Sequence, residues 1–181
     1  MDSRRISWVS AAVVALVLFS VLPGWAQTRP GSNAPVITHA FTVEKIKYGD
    51  ILKVYIEAEA PEGEMMKIAT VVDQAGFGRY STSWVYLKPA DRKHFKGYLQ
   101  WNTFSSKTPV ISEGTPITLT VSVSDKSGNQ SNAFSFPITF ESGVKRASSY
   151  QVPSPFDQGD VRRLGAIDIE LMDYTIWRTG D

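Results

Sequence analysis

The chain has 181 residues, is 43% hydrophobic and 20% charged, and carries a formal net charge of +1. That composition is globular rather than disordered, and the near-neutral balance gives no broad electrostatic reason to bind nucleic acid. The absence of cysteine removes disulfides, thiolate metal sites and a Cys nucleophile, so the fold must be held by packing alone.

Arg4 and Arg5 precede an apolar run, Ile6–Leu22 (ISWVSAAVVALVLFSVL), which Pro23 and Gly24 interrupt. With small residues at Gly24 and Ala26, the pattern predicts a secretory signal peptide over residues 1–26, cleaved after Ala26. The alternative is an uncleaved anchor, for which the run is near the lower length limit; membrane contact is expected only through that segment. Its removal takes Asp2, Arg4 and Arg5 and leaves equal numbers of acidic and basic groups. The expected location is the periplasm, the extracellular space or the cell surface. Residues 27–34 read as a flexible lead.

Val36, Ile37 and Phe41 mark a first strand within 35–43. After the turn at Tyr48-Gly49-Asp50, Leu52, Val54, Ile56 and Ala58 alternate with Lys53, Tyr55, Glu57 and Glu59, the pattern of a half-buried strand with a charged outer face. Met65–Asp73, Arg79–Lys88 and Phe95–Trp101 follow as strands. The strongest signal is Pro116–Phe140. There Ile117, Leu119, Val121 and Val123 and, beyond a polar Gly-containing break, Phe134, Phe136, Ile138 and Phe140 each alternate with polar residues or Pro137. This is a β-hairpin lying on a core. Pro137 cannot donate a ladder hydrogen bond, so its strand belongs at an edge or carries a bulge.

About seven short strands with almost no helical periodicity predict an all-β, immunoglobulin-like antiparallel sandwich over residues 35–141. The segments Tyr48–Leu52 (YGDIL), Ala58–Met66 (AEAPEGEMM), Gly114–Leu119 (GTPITL) and above all Val121–Asn129 (VSVSDKSGN) resemble bacterial immunoglobulin-like or fibronectin-type-III-like domains of exported proteins. The resemblance implies an extracytoplasmic interaction or spacer module, with no shared catalytic residues to carry over. A single copy, with no internal repeat, fits an accessory subunit better than a length of stalk.

Residues 142–159, rich in Ser, Pro and Gly, read as a linker, and residues 160–181 as a C-terminal segment. As a strand, that segment turns Ile167, Ile169 and Leu171 one way; as a helix, Leu164, Ile167, Leu171 and Tyr174 form a stripe. Charges placed against the helix dipole and Gly165 in the interior favour the strand. It would add to an edge of its own sandwich or to a partner's sheet. The expectation is a tail separable from the sandwich at Arg146, contributing to partner contact.

Candidate sites follow. Trp84, Tyr86 and Trp101 are core aromatics, a stacking platform for sugar rings, or a protein interface. Pro137 with Ile167, Ile169 and Leu171 completes the candidate partner surface. Asp125, Ser127, Asn129 and Gln130 lack the spacing of a calcium loop and read as a self-capping turn. No G-x-S-x-G motif occurs, His39 and His94 are far apart in sequence, and Glu57 with Glu59 reads as a solvated face. No catalytic residue, cofactor or metal is expected. The function expected is a non-catalytic module that binds another envelope or surface protein, with carbohydrate binding through exposed aromatics as the alternative.

Overall fold

The computed structural model describes residues 33–60, 63–106, 108, 111–158 and 161–172. The predicted signal peptide and lead up to residue 32, and the chain beyond Met172, lie outside the described residues.

Among the described residues ten strands form two sheets. In chain order they are β1 (Val36–Phe41), β2 (Lys45–Ile46), β3 (Ile51–Glu59), β4 (Met65–Gln74), β5 (Gly78–Arg79), β6 (Ser83–Tyr86), β7 (His94–Asn102), β8 (Ile117–Asp125), β9 (Phe134–Phe140) and β10 (Arg162–Ile167). One sheet has four strands in the order β1-β3-β7-β10. The other has six: β2-β9-β8-β4-β5, with β6 also paired to β4. β1-β3-β7 facing β9-β8-β4 reproduces the A-B-E and G-F-C strand order of an immunoglobulin sandwich. The place of strand D, beside E, is taken by β10, which arrives from far along the chain and pairs with β7 in parallel.

The alternation read from the sequence faces as expected in the strongest segments. Leu52, Val54, Ile56 and Ala58 of β3 are fully buried, as are Leu119, Val121 and Val123 of β8, with Ile117 almost so. They meet Ile138 and Phe140 of β9 and Phe95, Leu99 and Trp101 of β7 in one core. A fully buried side chain of this size contributes about 1.5–3 kcal/mol, which is how a cysteine-free sandwich holds.

The chain beyond Glu141 differs from expectation. Residues 142–158 are not a free linker. They lie on the outside of the four-stranded sheet, with Phe156 buried and its ring 5.5 Å from that of Tyr55. The tail is the predicted strand, but it pairs in cis, and Ile167, Ile169 and Leu171 are buried in the chain's own core. These three residues are therefore removed from the partner surface, and the tail packs into the core of the sandwich. Trp101 is removed with them. It is fully buried, and its indole N–H donates to the Ile169 carbonyl at 2.9 Å. Trp101→Phe keeps most of the apolar area but leaves that carbonyl without its donor, at an expected cost of about 1–3 kcal/mol. Urea denaturation measures it; an unchanged midpoint would mean that the carbonyl finds another partner.

Two glycines permit β10 to sit where it does. A Cβ on Gly97 of β7 would lie 2.5 Å from Leu164 Cγ and 2.8 Å from the Arg162 carbonyl oxygen. A Cβ on Gly165 would lie 2.4 Å from Val85 Cγ1 of β6. β10 thus seals one side of the sandwich by reaching from β7 to the opposite sheet. The Asp168 N–H donating to Ser83 Oγ at 2.9 Å and an ion pair between Arg162 and buried Asp91 hold it there.

The other side has two edges, and both are blunted. The Ile37 N–H donates to Asn132 Oδ1 at 2.8 Å and Asn132 Nδ2 donates to the Ile37 carbonyl at 3.0 Å, so one amide side chain occupies the edge of β1. The β1 register also slips between Ile37 and His39. β2 covers β9 only at Thr139 and Phe140, and Pro137 stands on the uncovered stretch, where it offers no N–H to an added strand.

Candidate interaction surface

Once the buried residues are set aside, the remaining candidates share one face. Trp84 and Tyr86 of β6 and Pro137 of β9 all point outward from the six-stranded sheet. Trp84 is 42% and Tyr86 70% exposed, whereas Val85 between them is buried. The sequence favoured core for these aromatics; the parity is the reverse, because Val85 and Leu87 fill the interior and the rings stand outside.

The register shows what surrounds them. Trp84 lies opposite Ala69, and Ala69 opposite Ser122. Tyr86 lies opposite Lys67. Farther along the same face Val71 meets Thr120, Thr120 Oγ1 is 3.0 Å from Ser135 Oγ, and Thr118 is opposite Pro137. The result is a flat field of small and hydroxyl-bearing side chains with two large rings along one margin. Lys67 Nζ sits 3.8 Å from the centre of the Trp84 ring, a cation–π contact that orients the indole and contributes about 0.5–1 kcal/mol at an exposed site.

Tyr80, which two-residue alternation in an unbroken strand over 79–88 would put on the face of Trp84 and Tyr86, behaves differently. The predicted strand over 79–88 is broken into β5 and β6, and Tyr80 packs its ring on Phe77 at 4.6 Å. Its hydroxyl donates to Gln74 Oε1 and accepts from the Met172 N–H. Burial is the main cause raising its phenol pKa above the ordinary value, partly offset by the Met172 hydrogen bond.

The hairpin loop does what its residues suggested. Both Asp125 carboxylate oxygens accept from Asn129, Oδ1 from its N–H and Oδ2 from its side-chain amide, each at 2.8 Å, and Gly128 takes a positive φ of 88°. Among the described residues no group of three or more His, Asp or Glu is arranged to hold a metal.

One cluster was not legible from sequence. His39 of β1 and His94 of β7, the chain's two histidines, converge on Glu57 of β3, which lies between them. His39 Nδ1 is 3.0 Å from one carboxylate oxygen and His94 Nε2 is 3.2 Å from the other. Only the three-strand register places them together. Both imidazoles are more than half exposed.

No family model matches the chain. No curated protein matches it either. Among solved structures, the CARDB domain of a Pyrococcus furiosus protein, determined in complex with di-metal ions, is similar at 10% identity and a TM-score of 0.34, over 63% of this chain and 90% of that one. The immunoglobulin-like assignment rests on the strand order described above.

Proposed function

We propose that this chain is an exported, non-catalytic immunoglobulin-like module that assembles with another protein of the bacterial envelope or cell surface through the outer face of its six-stranded sheet. The observation that carries the reading is the exposure of Trp84 and Tyr86 on a flat field of small side chains. Large rigid aromatics are the side chains that most often dominate protein interfaces, and small neighbours let a partner approach closely. With both open edges blunted, docking on a face is favoured over strand addition.

The test is capture from the native envelope using protein lacking residues 1–26, in parallel with Trp84→Ala/Tyr86→Ala. The expected result is a partner retained by the first and lost by the second. The variant should still unfold cooperatively, with a midpoint lowered by the equivalent of about 1 kcal/mol as the Lys67–Trp84 contact is lost. An identical captured set from both proteins would sink the assignment of this face.

A second reading draws on the same exposed rings. Trp84 and Tyr86, spaced two residues apart along one strand and bordered by hydroxyls, offer stacking and hydrogen bonds to a sugar chain. Electrophoresis through gels containing soluble polysaccharides separates the readings. Retardation of the unaltered protein but not of the double variant assigns the face to carbohydrate.

A further inference from the structure

The opposite outer face carries a second, unrelated feature. Residues 142–158 cross the four-stranded sheet as a strap fixed near both ends. At one end the Ala147 N–H donates to Asp50 Oδ2 at 3.1 Å. At the other, Phe156 is buried against Tyr55, and Lys96 Nζ donates to the Pro155 carbonyl at 3.3 Å. Between the two fixings the strap and the sheet border an open cleft of about 510 Å³, within the range of small-molecule sites.

Phe41 and Tyr55 form part of its floor, and Tyr150 and Val152 part of its roof. Burial, and secondarily the neighbouring Tyr98, raise the Tyr55 phenol above its ordinary pKa. Two cations stand in the lining, Lys53 and Arg146. Among the described residues neither forms an ion pair. Lys53 Nζ instead rests 4.6 Å from the centre of the Tyr98 ring. Asp50, the acid of the lining, is already engaged by the strap.

We infer that this cleft is a binding site for a small amphipathic anion: a flat apolar ring system bearing one acidic group. The body lies between the aromatic floor and the strap, and the acidic group is met by Lys53 and Arg146. The size of the cleft, its aromatic surfaces and two lining cations without an ion-pair partner among the described residues support this ligand class, independently of the partner face on the other sheet.

The test is a fluorescence titration of the purified, folded protein with 8-anilinonaphthalene-1-sulfonate, with uncharged N-phenyl-1-naphthylamine alongside. Saturable one-to-one binding of the sulfonate is expected. Lys53→Gln/Arg146→Gln should weaken it by about tenfold or more, the scale of a lost charge-assisted contact. The uncharged analogue should bind about tenfold more weakly than the sulfonate, and Trp84→Ala/Tyr86→Ala should bind the sulfonate unchanged. Lys53 and Arg146 are both exposed, so the thermal midpoint of the charge variant should match that of the unaltered protein. Absence of saturable binding, equal affinity in the charge variant, equal affinity for the uncharged analogue, or loss of binding in the Trp84/Tyr86 variant would each overturn the inference.

Discussion

Truncation after Arg146 is expected to yield a chain that does not fold. The deletion removes Phe156, Ile167, Ile169 and Leu171, each 6% exposed or less. At about 1.5–3 kcal/mol per buried side chain the loss is roughly 6–12 kcal/mol. A domain's whole stability is about 5–15 kcal/mol. The deletion also strips the hydrogen-bond partner from Trp101 and opens the edge of β7 from Gly97 to Trp101. Circular dichroism and the dispersion of amide proton resonances measure the outcome. A cooperative, native-like unfolding transition in the truncated protein would show that the A-B-E and G-F-C strands are self-sufficient and that β10 is an accessory.

Gly165→Ala is expected to destabilise by about 1–3 kcal/mol, the usual cost of overpacking. The new carbon would meet Val85 Cγ1 at 2.4 Å, Cγ2 at 3.1 Å and Cβ at 3.3 Å. Val85 is buried and β-branched, so it has little rotameric freedom with which to give way. The diagnostic measurement is a double-mutant cycle with Val85→Ala. If the clash is the cause, the second substitution makes room for the first, and the pair is more stable than the sum of the separate effects implies. Strict additivity would point away from Val85, to the backbone of β10.

The sequence was most informative where one parity of a strand is plainly apolar. Leu52–Ala58 and Ile117–Val123 alternate with polar residues, so the buried face is unambiguous. It was least informative where both parities are apolar. In Trp84-Val85-Tyr86-Leu87 the larger rings suggested the interior, yet the smaller Val85 and Leu87 fit beside β10 and the rings are left outside. The tail could be read as a strand but not assigned a partner, since pairing is a long-range choice that local pattern does not encode. Gly97 and Gly165 were the available signal: glycine inside a strand marks a place where another chain segment comes close. The convergence of His39 and His94 on Glu57 depends on the register of three strands, which no spacing in the sequence reveals. The cleft under the strap was missed because residues 142–159 were read by composition alone, and Phe156 anchors them.

The position of β10 also bears on when this chain acquires its structure. A sandwich whose strand beside β7 follows directly from β4 or β6 has every core strand available once β9 is made. Here the strand that completes the first sheet is supplied some twenty residues after β9 ends. During synthesis, the core beside β7 has no complete cover until Leu171 has emerged. If the truncated chain does not fold, native packing is acquired only after Leu171 is made, late in synthesis.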